Sequence, residues 1–258
     1  MTPVNALIDR YFKTLIDRLE AVRTSQEATI DAAAVACADS IAAGKLVFAF
    51  GTGHGALPAL EMFPRTGTIV GFRPIVESTM ISFHRVWGDM GARQYRFIHA
   101  VEGYGKAILS AHRLDPQDAM ILFSHSGVNA VILDIALESK ARGLKVIAVT
   151  SLPHSQNTAS RHSSGKRLFE VADIVIDTHA PLADASLAID GLEHPVGASS
   201  TSVTIAIAHA IVSATAEKLV ARGVKPMVMV NPNTAGRDQA NRVNDANYEA
   251  LWRRLADR

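Results

Sequence analysis

The chain has 258 residues, of which 48% are hydrophobic, 6% aromatic and 20% charged, with a formal net charge of +1. That supplies apolar surface for one large domain, and the scattered basic residues leave no electrostatic footprint for nucleic acid. A single cysteine excludes an internal disulfide, and Cys37, set among alanines at a helical apolar position, reads as a small core residue.

Residues 4–23 place Leu7, Ile8, Phe12, Leu15, Ile16 and Leu19 on one face of a predicted helix. The charges in MTPVNALIDRYF come too early for a secretory signal. Thr24 and Glu27 have capping-box spacing for a second helix with Ile30, Ala33, Ala34, Cys37 and Ile41 inward, closed by Gly44. Residues 1–43 are therefore expected to form a helical arm whose apolar stripe needs a partner.

From Lys45 the period changes. KLVFAF, GTIVGF, AMILF, LKVIAV and DIVID are short, nearly continuous apolar runs, as in strands of a parallel sheet covered on both faces. Helical stretches at 56–64, about 98–113 and 128–142 lie between them, and a long helix at about 200–222 follows. This alternation predicts a doubly wound, Rossmann-like α/β sandwich of flavodoxin type with a five-stranded parallel sheet over 44–223. Residues 224–258 are expected to form a tail, with the turn cluster NPNTAG and a polar helix ending in Trp252 and Leu255. The apolar run VTIAIAHAIVSATA is too short to span a bilayer, so no membrane partner and a reducing, cytoplasmic setting are expected.

In an open parallel sheet, ligands bind beyond the carboxyl ends of the strands, and two loops stand there. FSHSGVNAV, residues 123–131, leaves a strand through Ser124, His125, Ser126 and Gly127 and enters a helix near Val128. Amide hydrogens at the helix mouth, two hydroxyls, a glycine that admits close approach and Asn129 together suit a phosphate monoester. The alternative is that Ser126 simply caps the helix. No G-x-S-x-G elbow is present, so a serine nucleophile does not fit. The other loop, FGTGHGALP, carries Gly51, Thr52, Gly53 and His54. Its G-x-G-x-x-A match, with Glu77 downstream, is a lone dinucleotide signal, and Glu77 falls past the expected end of the second strand. The other reading is a tight turn that brings a second loop to the ligand.

The block MILFSHSGVNAVILDIALESKARGLKVIAVTS, the loop FGTGHG and the segment HSSGKRLFEVADIVID closely resemble sugar isomerase (SIS) domains, over residues 30–222 or so. The N-terminal arm resembles that of the phosphoheptose isomerase branch, and the nearest resemblance is to SIS proteins with no assigned reaction. The resemblance implies the SIS fold, a phosphosugar ligand, no cofactor and a homodimer or homotetramer whose sites are completed across an interface. It also implies a glutamate on the helix after the glycine loop and a histidine on the last long helix as acid–base groups for aldose–ketose isomerisation. Glu61 and His209 stand in those places, Glu61 about one turn nearer the glycine loop than the family's residue.

Each candidate has a plainer alternative: Glu61 as a solvent-facing charge, His209 as a core histidine. His54 lies at the mouth of the glycine turn, where loop residues carry function. His125 belongs to the binding loop, its ring expected to turn away from the phosphate. Ser199, Ser200 and Thr201 open the long helix as ligand contacts or as its cap, and His84 is assigned to a lid or subunit contact. Ten histidines show no metal-binding spacing, so no metal is expected. Beside isomerisation stand a non-catalytic phosphosugar sensor, an etherase acting on a phosphorylated amino sugar, and a nicotinamide enzyme resting on GTGHGA alone.

Overall fold

Alternate residues of the apolar runs face opposite ways, and this pleat builds two cores, one on each side of a sheet. A computed structural model of the chain describes residues 6–81 and 91–256. Two helices, α1 (Ala6–Ser25) and α2 (Glu27–Ala42), precede β1 (Val47–Gly51), α3 (Ala56–Glu61), β2 (Phe72–Pro74), α4 (Gly91–Ile98) and α5 (Tyr104–Ser110). Then come β3 (Ala119–Phe123), α6 (Ala130–Ala141), β4 (Lys145–Thr150), α7 (Leu152–Gln156), α8 (Leu168–Val171) and β5 (Ile174–Asp177). A hairpin of β6 (Ala185–Leu187) and β7 (Val196–Ala198) leads into α9 (Ser200–Ala221), followed by α10 (Pro232–Ala235) and α11 (Arg237–Ala256).

The five main strands form one parallel sheet in the order β2-β1-β3-β4-β5, the flavodoxin arrangement. Val47, Ala49, Ile121, Phe123, Ile147 and Val149 pack on one face, toward α2 and α9. Phe48, Phe50, Met120, Leu122, Val146 and Ala148 fill the other, against α5, α6 and α11.

The second strand departs from expectation. The apolar run GTIVGF does not form one strand: Ile69 bridges antiparallel to Val228, and Val70 N–H donates to Met227 O at 2.9 Å. The chain then bends at Gly71, φ 133°, where a Cβ would lie 2.6 Å from Ile41 Cδ1, and only Phe72–Pro74 joins β1. One apolar run serves two pairings because a glycine sits between them. The expected helix at 98–113 breaks at Gly103, φ 88°, and the buried Asp134 carboxylate accepts the amides of Gly103 and Gly105 at 2.6 and 3.2 Å. The Thr24–Glu27 capping box does not form either. Thr24 Oγ1 donates to Glu20 O at 2.8 Å, extending α1, and Gln26 takes the cap position of α2.

In the N-terminal arm, Leu15 and Leu19 pack on the core, whereas Leu7, Ile8, Phe12 and Ile16 are exposed. Cys37 is fully buried, and burial pushes its thiol up to about 12. The run VTIAIAHAIVSATA lies inside α9, which at 22 residues matches the expected long helix and has the length and hydropathy of a membrane span. Its Val203, Ile207 and Ile211 are nonetheless packed in the core between α2 and the sheet. Truncating Ile207, 1% exposed, to alanine leaves a void there. Ile207→Ala is expected to cost about 2–5 kcal/mol of unfolding free energy, read by chemical denaturation.

Candidate active site

β3 ends at Phe123, and the next residues turn toward α6 with their carbonyls tied backward. His125 O accepts from Ser151 N at 3.1 Å and Thr150 Oγ1 at 3.2 Å, Gly127 O from Leu168 N at 2.8 Å, and Val128 O from Arg161 N at 2.9 Å. Ser124 Oγ accepts the Gly127 amide at 3.1 Å. The amide hydrogens of Ser126, Val128 and Asn129 meet no protein acceptor among the described residues. Asn129, rather than Ser126, occupies the cap position of α6, and its side chain makes no cap bond.

These groups line a cavity of about 460 Å³ over the carboxyl ends of the strands. Ser124, His125, Ser126 and Asn129 form one wall, and Thr52, His54 and Gly55 of the glycine loop another. Ser200, Thr201 and Thr204 of α9 close a third side. Gly51 and Gly53 stand behind the wall. A Cβ on Gly51 would lie 2.0 Å from Gly55 O, and one on Gly53, φ 57°, 2.9 Å from Tyr95 Oη. They make the turn possible, and Thr52 faces the cavity, accepting from Tyr95 Oη at 3.3 Å.

His125 contributes to the wall, and its ring has both nitrogens buried from solvent. It meets His154 edge to face, with centroids 4.6 Å apart and planes at 79°. His154 is held by α7, whose cap Ser151 accepts the His154 amide at 3.1 Å and donates to Ala180 O at 2.6 Å. Burial pushes both imidazoles below their usual range. For His125, Asp184 and the carbonyls of Leu182 and Pro181 oppose that shift; for His154, the His125 ring adds to it.

Ser199 and Ser200 open α9, but Asp184 supplies its cap. Asp184 Oδ1 accepts the Ser199 and Ser200 amides at 3.1 and 2.8 Å, and Oδ2 accepts from Ser200 Oγ at 2.7 Å. Ser199 Oγ takes a bond from Arg18 of α1, which also donates to Ser186 Oγ at 2.5 Å. The mouth of α9 is thus already occupied by a carboxylate.

Glu61 and His209 do meet, with Nε2 and Oε2 3.3 Å apart, but neither lines the cavity. His209 lies five residues beyond Thr204, about 7.5 Å along α9 and about 140° round it. Arg65 binds Glu61 at 2.5 Å and is the main cause holding that carboxyl below its usual range. Glu77 caps the turn at Ser78–Met80 through the Thr79 amide at 3.3 Å, away from the glycine loop's cavity face. His84 lies outside the described residues.

Among the cavity residues that escaped the sequence reading are Arg161, His154, Thr178 and Asp184. His154 and Arg161 come from the segment between β4 and β5, and Thr178 and Asp184 from the one after β5. Arg161 Nη1 donates to Asn129 Oδ1 at 3.2 Å, placing a guanidinium beside the amide-lined turn. The cluster SRHSSGKR was the available signal, but its distance from the loop in sequence hid it.

Burial raises the Asp184 carboxyl, and the bonds from Ser200 and Ser199 outweigh it, so the group sits below its usual range. A depressed carboxyl contributes stability above its unfolded value, near 3.9, and loses it as pH falls through the folded one. Asp184→Asn, which removes the negative charge at the mouth of α9, is expected to cost about 1 kcal/mol at pH 7. Denaturation midpoints of variant and wild type are expected to converge below about pH 4.

A sequence profile of the SIS domain matches residues 10–151. A UPF0309 protein of Streptomyces griseus is 34% identical over 235 residues, covering 91% of this chain and 92% of its own. One from Geobacillus thermodenitrificans is 33% identical over 92% of each chain. Among solved structures, a phosphoheptose isomerase from Francisella tularensis shares the fold at a TM-score of 0.53 and 18% identity, over 84% of this chain and 100% of that one. A phosphoheptose isomerase from Neisseria gonorrhoeae does so at 0.52 and 18%, over 81% and 97%. With the profile over more than half its length and relatives aligned over nine-tenths of it, the chain belongs to the SIS-domain family.

Proposed function

We propose that the protein binds a phosphorylated sugar in this cavity and interconverts aldose and ketose phosphates through an enediol. The observation that carries the reading is the turn after β3. Three amide hydrogens without protein acceptors among the described residues, two serine hydroxyls and the Arg161 guanidinium belong to residues that line one cavity. An anion seated there takes up bonds the fold leaves open, and charge-assisted bonds from a guanidinium favour phosphate over a neutral hydroxyl. The remaining walls carry Thr52, Thr178 and Thr201, hydroxyls suited to a polyol chain. The names of the fold neighbours, phosphoheptose isomerases, agree with that chemistry.

Isomerisation needs a base at carbon and a group that shuttles protons between oxygens. His54 stands at the rim of the cavity. Glu61 and His209 would reach a bound sugar only from a neighbouring copy, and the exposed Leu7, Ile8, Phe12 and Ile16 offer a surface for such pairing in a homodimer or homotetramer. A second reading, a phosphosugar sensor without turnover, is favoured by the bond of Glu61 to Arg65 and by its place outside the cavity.

Calorimetric titration with sedoheptulose 7-phosphate and a panel of pentose and hexose phosphates tests the binding claim. The Ser124→Ala/Ser126→Ala double variant and Arg161→Ala are each expected to lose about 1–3 kcal/mol of affinity, and unphosphorylated sugars to bind far more weakly. Affinity unchanged in both variants would overturn the reading.

A further inference from the structure

We infer that Tyr11 and Arg18 of α1 are positioning residues that set the cavity wall made by β7 and α9, an assignment that rests on the phosphosugar reading of the cavity. Ala198, Ser200, Thr201 and Thr204 line the cavity at the end of β7 and the start of α9. Tyr11 Oη donates to Ala198 O at 3.0 Å. Arg18 donates through Nη1 to Ser199 Oγ and through Nη2 to Ser186 Oγ, the latter at 2.5 Å. Both α1 side chains stand behind that wall, outside the cavity lining.

The two serines that receive the Arg18 fork also bond Asp184. The Ser199 amide donates to Asp184 Oδ1 at 3.1 Å, and Ser186 Oγ donates to Asp184 O at 3.3 Å. Asp184 lines the cavity, has φ of 60° and caps α9 through Ser200. A residue other than glycine keeps that left-handed conformation only where its surroundings fix it. A planar guanidinium, with N–H groups at a fixed spread, suits two separate hydroxyls better than an ammonium on a flexible stem does. Burial disfavours the Arg18 charge, and the Asp184 carboxylate opposes that penalty.

Tyr11 and Arg18 are seven residues apart, about two turns, so both leave α1 on one face. Gly197, φ 81°, admits the tyrosine ring, since a Cβ there would lie 3.2 Å from Tyr11 Cδ2. Leu15, between the two, packs on the core, whereas Phe12 and Ile16 are exposed. One face of the arm thus serves the cavity wall. Loosening α1 would release β7 and the first turn of α9, while the turn after β3 keeps its own bonds from Ser151, Arg161 and Leu168. The sugar end and the phosphate end of a ligand therefore depend on different parts of the chain.

The test uses the full chain and compares two kinds of ligand. The same sugar phosphates are titrated by calorimetry, and inorganic phosphate alone by amide shifts in NMR spectra. Arg18→Ala is expected to weaken the tightest sugar phosphate about tenfold and Tyr11→Phe about threefold, with inorganic phosphate held within about twofold. Arg18→Lys, which keeps the charge and loses the fork, is expected to fall between Arg18→Ala and wild type. Arg18→Gln stands in if Arg18→Ala fails to fold, judged by circular dichroism. A helix that only stabilised the fold would not change the ratio of the two affinities. Wild-type binding with that ratio unchanged in the variants therefore overturns the assignment alone and leaves α1 a packing helix. Wild-type protein that binds neither kind of ligand overturns the phosphosugar reading, and the assignment with it.

Discussion

At Gly127 the chain turns from β3 toward α6 with φ of 62°, and a Cβ there would lie 3.1 Å from Thr150 Oγ1, Ser155 Oγ and Leu168 Cβ together. The left-handed backbone and the crowding both require glycine. The same turn commits the loop's carbonyls to the stretch from the end of β4 to α8, where Thr150, Ser151, Arg161 and Leu168 donate to them. With the acceptors bonded on one side, the donors of Ser126, Val128 and Asn129 are left on the other. The polarity of the cavity wall therefore follows from which half of each peptide group the core consumes.

That constraint extends to the neighbouring segments. Arg161 reaches the loop through its backbone as well as its side chain, and His154 is set beside His125 by the Ser151 cap. The segment between β4 and β5 thus acts as a brace for the turn and at the same time supplies two of the groups in the wall. Asp184, in the left-handed region at φ 60°, closes the far side by capping α9, and Arg18 ties α1 to the same corner. A cap in that position fills the mouth of α9, whereas at the mouth of α6 the amides of Ser126, Val128 and Asn129 are left without a protein acceptor among the described residues.

Much of this was legible in the sequence because parallel strands announce themselves. Five apolar runs, punctuated by Gly44, Gly143 and Gly223, fixed the sheet and its order of layers, and FSHSGVN marked the turn. Where the reading failed, a local signal was overruled by a distant contact. GTIVGF looked like one strand, but Val228 competes for half of it. Thr24 and Glu27 had capping-box spacing, but Thr24 back-bonds to Glu20 and prolongs α1. The hairpin β6–β7 and the short α7 and α8 have too few residues for a period to show. Arg161, His154 and Asp184 enter the site from that irregular stretch, so no spacing in the chain could have joined them to Ser124. Glu61 and His209 were placed together by the resemblance and do touch, yet the cavity wall lies on another face of α9.

The central claim concerns peptide amides, so it is tested most directly at those amides. Two-dimensional 1H–15N spectra of the full chain, recorded while inorganic phosphate is added, report on each N–H separately. The account predicts saturable shifts concentrated at Ser126, Val128 and Asn129 that are reversed when a phosphosugar displaces the phosphate. Amides at that turn that stay in place while others shift would contradict it.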